Sequence, residues 1–160
     1  MATSSDTVSV ERIIPAAPEK IFDLLADPAR HQEIDGSGTV RNAKAGSERL
    51  ALGSKLGMSM KMGIPYSMSN EVIDFEENRR IAWQTRPPGS LMSRFGGRIW
   101  RYELEPVDGG TRVRETWDIS QETGRLVLRH IAGAQTRKDM EKSLERLDHL
   151  ATAGSEAPGP

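Results

Sequence analysis

The sequence predicts an α+β fold: a curved antiparallel sheet of six to seven strands, two short helices, and a long C-terminal helix gripping the sheet. Two rhythms and one spacing carry that prediction. Between Thr39 and Ser120 apolar and polar residues mostly alternate, the period of strands that bury one face. After Gly124 apolar residues recur at threes and fours, the period of a helix. The breaks between alternating runs are short, so neighbouring runs pair as an antiparallel meander. One long amphipathic helix is the economical cover for its apolar face.

The elements follow in chain order. Thr7 to Ile14 alternates and ends before Pro15, which predicts a strand. Pro18 stands where a first helical turn begins, with Glu19 at the positive helix end and Ile21, Phe22 and Leu25 as the apolar stripe. Pro28 restarts a second short helix to about Ile34, which Asp35-Gly-Ser-Gly38 breaks. Leu56, Met58, Met60 and Met62 share one strand face, and Tyr66, Met68, Asn70 and Val72 continue it after a turn at Gly63-Ile-Pro65. Arg80 to Thr85 is the next strand. Trp100, Tyr102 and Leu104 mark one face of the following one, and Val113, Glu115, Trp117 and Ile119 one face of the last. Asp108-Gly-Gly110 between those two is a hairpin signal, because glycine supplies the positive φ of a tight turn. In the long helix Leu126, Ile131, Ala134, Met140, Leu144, Leu147 and Ala151 form the expected stripe, with a bend expected near Gly133.

Composition bounds the function. A chain of 160 residues is one domain, expected over 7–153, with polar, disordered tails at 1–6 and 154–160. Lysine and arginine number 22 against 23 acidic residues, so the broad basic field of a nucleic-acid binder is missing. With no cysteine there are no disulfides, thiolate metal sites or thiol catalysis. No apolar run approaches the roughly 20 residues that span a bilayer, and Met1 to Asp6 is not a secretory signal. The expectation is a cytoplasmic protein, monomer or homodimer, with no cofactor and no metal.

The chemistry-bearing residues collect on the sheet. Met58, Met60, Met62 and Met68 either line an adaptable apolar cavity or fill core against the helix. Tyr66, Trp83, Trp100, Tyr102 and Trp117 fall on the same inward faces, and each buried indole N–H or phenol needs a partner. Glu115 shares parity with Val113 and Trp117, so it points inward. A buried carboxylate must be paired or become protonated. It orients a ligand hydroxyl or moves a proton, or else it pairs with a helix arginine such as Arg137. His31, Glu33 and Asp35 have spacings of two and a single histidine, which argue for a surface helix end rather than a metal site. His130 and His149 are ordinary helix positions. Gly36-Ser-Gly38 follows a helix and has Arg41 where a third glycine is needed, so it is no nucleotide fingerprint. Pro87 to Gly97, carrying Leu91, Met92 and Phe95, is either a gate at a cavity mouth or a loop folded on the domain edge or a second subunit. The mixed charges of the long helix read as a solvated face.

Three stretches resemble one family: Val10 to His31 (VERIIPAAPEKIFDLLADPARH), Glu71 to Trp83 (EVIDFEENRRIAW) and Trp100 to Asp118 (WRYELEPVDGGTRVRETWD). Their residues and order are similar to those of the START-like or SRPBCC (helix-grip, birch-pollen-allergen-like) superfamily, closest to its polyketide cyclase/dehydrase-like group, common in actinobacteria. The resemblance implies a cavity between sheet and long helix. It also implies one of three uses: binding or transport of lipid-like molecules, polyketide cyclisation, or assistance to chaperones. No catalytic motif is shared across that superfamily, so it carries over no catalytic residue; Glu115 is the one weak catalytic candidate. The leading expectation is binding of a small apolar, aromatic or amphipathic molecule. A polyketide cyclase or dehydratase is the alternative, and a protein-interaction module the third.

Overall fold

The computed structural model describes residues 6–36, 40–43, 48–62, 64–86 and 97–153, and at 40–43, 56–62 and 64–68 the backbone only. The elements are β1 (Thr7–Ile14), α1 (Pro18–Leu25), a 3₁₀ turn (Pro28–Arg30), α2 (His31–Ile34), β2 (Val40–Ala43), β3 (Lys55–Met62), β4 (Ile64–Glu76), β5 (Arg80–Arg86), β6 (Arg98–Val107), β7 (Gly110–Asp118) and α3 (Arg125–Thr152). Among the described residues the strands form one seven-stranded antiparallel sheet in the order β1-β7-β6-β5-β4-β3-β2. The meander is as expected. The first strand closes it by pairing with the last.

Alternation places Val8, Val10 and Ile14 of β1, Val113 and Trp117 of β7, Leu104 of β6 and Ile81 of β5 in one buried cluster. Ile21, Phe22 and Leu25 of α1 enter the same cluster, which is why that short helix forms where its isolated propensity is marginal. Phe22 meets Phe75 edge to face at 5.3 Å. Phe75 can face inward because a bulge in β4, between Val72 and Asp74, shifts the register by one residue and turns Ile73 outward.

The outer face of the sheet is a lattice of charges. Glu11, Arg114, Glu103, Arg80 and Glu76 face one another in sequence across β1, β7, β6, β5 and β4. Arg114 Nη2 lies 2.7 Å from Glu11 Oε1, and Arg80 Nε 2.5 Å from Asp74 Oδ2. A cleft of about 180 Å³ opens on this face. Its arginines are already engaged by Glu11, Glu76, Asp74 and Glu105.

Helix α3 runs unbroken from Arg125 to Thr152, without a break at Gly133. Only its second half carries the expected stripe: Met140, Leu144, Leu147 and Ala151 are buried. Leu126 and Ile131 are 69% and 73% exposed, and Ala134 is exposed too. The physical reason is placement. The helix packs principally along the edge strand β1, with lesser contact to β7, α1 and α2. In its first half the residues turned toward the core are Leu128, Ala132 and Gly133 rather than Leu126, Ile131 and Ala134. Ile131→Ser is therefore expected to change the unfolding free energy, read by urea titration, by less than about 0.5 kcal/mol.

Arginines bind α3 to the free edge. Arg129 and Arg137 donate to the Thr7 and Ser9 carbonyls at 2.7 and 3.2 Å, and Arg12 Nε lies 2.8 Å from Asp148 Oδ2. Such contacts occupy an edge that would otherwise offer open hydrogen-bonding groups to another chain. Asp6, placed by the sequence in the N-terminal tail, accepts from the Ile119 amide through its carbonyl and pairs with Arg125.

Candidate aromatic and carboxyl site on the concave face

The hairpin turn at Asp108 and Gly109 fixes the register of β6 on β7. Tyr102 faces Glu115, and Trp100 faces Trp117. On the other side Trp83 faces Trp100. The sheet's inner face thus carries all three tryptophans of the chain on adjacent strands. Trp100 and Trp117 rings lie 6.4 Å apart, and Trp83 stacks on Tyr102 at 5.7 Å. Tyr102 and Trp117 are buried; Trp83 and Trp100 are only half-buried. Helix α3 lies over β1 and leaves that part of the wall accessible.

His31 closes the lower side, and here the structure corrects the surface reading. The ring is 7% exposed and stacks on Trp83 at 5.1 Å. Its Nε2 lies 2.8 Å from the Leu25 carbonyl, so that nitrogen carries the proton and Nδ1 is bare in the neutral ring. Burial holds its pKa below the usual histidine value, against the opposing pull of the Leu25 carbonyl, Asp27 and Asp35. Glu33 stays exposed and pairs with Arg30. Asp35 and Gly36 are clamped to α3: Arg146 donates to the Asp35 carbonyl at 2.6 Å, and the Gly36 amide donates to Ser143 Oγ at 2.8 Å.

Glu115 is 3% exposed and its partner is Tyr102, not Arg137, whose guanidinium is spent on Ser9. Burial pushes the Glu115 carboxyl up to about 8. The Tyr102 hydroxyl, donating to it, opposes that rise, and the negative Asp35 adds to it. Burial and the neighbouring Glu115 push the Tyr102 phenol well above its ordinary value. At neutral pH the group is a carboxylic acid, and so a hydrogen-bond donor. The wall also holds a neutral polar pair missed by the sequence analysis, Thr85 Oγ1 donating to Asn70 Oδ1 at 2.5 Å.

The other candidates are placed by register alone. Met58 pairs with Met68, Met60 with Tyr66 and Met62 with Ile64. The side chains of these residues lie outside the described residues, as does the loop 87–96 with Leu91, Met92 and Phe95. His130 and His149 are exposed on α3. Among the described residues no group of three or more His, Asp or Glu could hold a metal ion, and no helix is long and apolar enough to cross a membrane.

The family described as polyketide cyclase / dehydrase and lipid transport matches residues 5–152. The chain belongs to this family. Among solved structures, the chain is similar in fold to a protein of Nitrosomonas europaea, with a TM-score of 0.73 at 13% identity, covering 98% of this chain and 99% of that one. It is similar also to a protein of Mycobacterium smegmatis, with a TM-score of 0.71 at 17% identity over 96% and 95% of the two chains. By sequence it is 39% identical over 112 residues to an uncharacterised protein of Mycobacterium tuberculosis strain H37Rv, covering 69% of this chain and 45% of that protein. The matched region spans about half the length of such relatives.

Proposed function

We propose that the concave face binds a small hydrophobic or amphipathic molecule, lipid-like or polyketide-like, between the sheet and α3. The observation that carries this reading is the aromatic wall of Trp83 and Trp100, half-buried where helix α3 does not cover the sheet. A large apolar surface kept concave and accessible is the usual form of a small-molecule site. The family description, with lipid transport in it, supports the same reading. The even register of Met58, Met60, Tyr66 and Met68 continues the wall's parity onto β3 and β4. Binding requires neither nucleic acid nor membrane insertion, and a monomer or homodimer suffices.

Because all three tryptophans stand on this wall, intrinsic fluorescence reports occupancy directly. Titration with the neutral probe N-phenyl-1-naphthylamine is expected to quench tryptophan emission saturably and to produce sensitised probe emission. Unchanged tryptophan emission with this probe, a twelve-carbon alcohol and an anthraquinone alike would sink the reading.

One observation favours a second reading. A carboxyl that titrates near 8 beside a buried phenol is suited to general acid–base work. On that reading the site is a cyclase or dehydratase in which Glu115 moves a proton. Glu115→Gln separates the two, since a binder keeps its affinity within a few fold and an enzyme loses turnover.

A further inference from the structure

Two buried polar atoms on this wall have no hydrogen-bond partner among the described residues, Glu115 Oε2 and Trp117 Nε1. They belong to alternate residues of β7, hence to one face, and their side chains leave the strand from Cα positions roughly 7 Å apart, within the span across which two long side chains converge. Their residues are 3% and 2% exposed. A buried polar group without a partner is disfavoured by about as much as a lost hydrogen bond, and folded proteins keep few of them. Two at neighbouring positions on one strand face need a common explanation.

The donor inventory supplies one. An indole N–H only donates. The Tyr102 hydroxyl donates to the carboxyl of Glu115, leaving the second carboxyl oxygen to carry the proton while the group is neutral. Both loose ends are therefore donors, and the group that satisfies them is an acceptor. Nearby, the Trp100 ring offers apolar surface 6.4 Å from Trp117. Asp35 places negative potential on Glu115 and Tyr102, which disfavours an anion there.

We propose that Glu115 and Trp117 form a double hydrogen-bond donor for one neutral acceptor oxygen, so that the wall selects apolar carbonyl compounds over hydrocarbons or carboxylates of the same shape. The proposal rests on the ligand-binding reading above and adds the ligand's chemical class. Tyr102 is a positioning residue, holding the carboxyl so that its free oxygen faces the ligand.

Three probes of one outline isolate the acceptor: 2-acetylnaphthalene, 2-isopropenylnaphthalene, in which CH₂ replaces the carbonyl oxygen, and 2-naphthoate. Equilibrium dialysis against the full chain at pH 7 is expected to show the ketone binding about tenfold tighter than the alkene, with naphthoate weakest. Trp117→Phe and Glu115→Leu should each bring the ketone-to-alkene ratio close to unity, while Glu115→Gln, whose amide still donates, retains most of it. Equal binding of ketone and alkene by the wild type would overturn the donor pair and leave the ligand-binding reading standing. Binding of neither would remove both readings. A ratio unmoved by Trp117→Phe would also overturn the pairing.

Discussion

At pH 8, Glu115→Gln is expected to melt several degrees above the wild type, and at pH 4.5 to melt at nearly the same temperature. The sign follows from proton linkage. The Glu115 carboxyl ionises at about 4.5 in the unfolded chain and at about 8 in the folded one. Between those values the folded state holds a proton that the unfolded state has released, so each rise in pH favours unfolding. At pH 7 the difference amounts to about 3 kcal/mol. For a domain of this size that is a shift of roughly 6–12 °C. Glutamine keeps the shape and the acceptor for Tyr102 but has no proton to lose. His31 works in the opposite direction: neutral when folded, it withdraws stability as the pH falls below 6.5. Taking the difference between variant and wild type at each pH cancels that contribution. Thermal melts from pH 4.5 to 9 check this; a difference that stays flat would mean that Glu115 is ionised in the folded protein.

Gly110→Ala is expected to cost more than about 3 kcal/mol of stability, or to prevent folding. A Cβ at this position would lie 2.8 Å from Pro15 Cα and closer still to the Ile14 carbonyl oxygen. Both are backbone atoms, and they cannot retreat. Thr111 Oγ1 donates to the Ala16 carbonyl at 2.7 Å, and Ile14 pairs with Thr111 at the end of β1. Gly109, the neighbouring turn residue, provides the control. Its φ is +85° and nothing lies within 4 Å of a Cβ built there, so Gly109→Ala carries only the left-handed backbone penalty of about 1–2 kcal/mol. Urea unfolding of the two variants should rank them clearly. Equal costs would mean that the turn conformation, and not the closeness of β1, demands glycine at both positions.

Much of the fold was legible because sheet parity is a local property. A single hairpin even determined the site's central contact. With Asp108 and Gly109 as a two-residue turn, counting outward sets Tyr102 against Glu115 and Trp100 against Trp117. That arithmetic would have identified Tyr102 as the carboxyl's partner in place of Arg137. What escaped depends on rigid-body placement. Leu126 and Ile131 have the spacing of a buried stripe, but spacing does not tell which face of this half turns inward, and Leu128, Ala132 and Gly133 take that place. His31 is buried because α2 sets its ring on Trp83, fifty-two positions away in sequence, and no local pattern reports such a pairing.

The charged row on the outer face bears on how the chain finds its alignment. Inward and outward parity is blind to a slip of two residues, because the apolar set stays inside. The row is not. If β6 slid by two positions so that Arg101 took the place of Glu103, three cations, Arg80, Arg101 and Arg114, would stand side by side across adjacent strands. The surface that meets water thus discriminates against a misaligned sheet that the hydrophobic interior would tolerate.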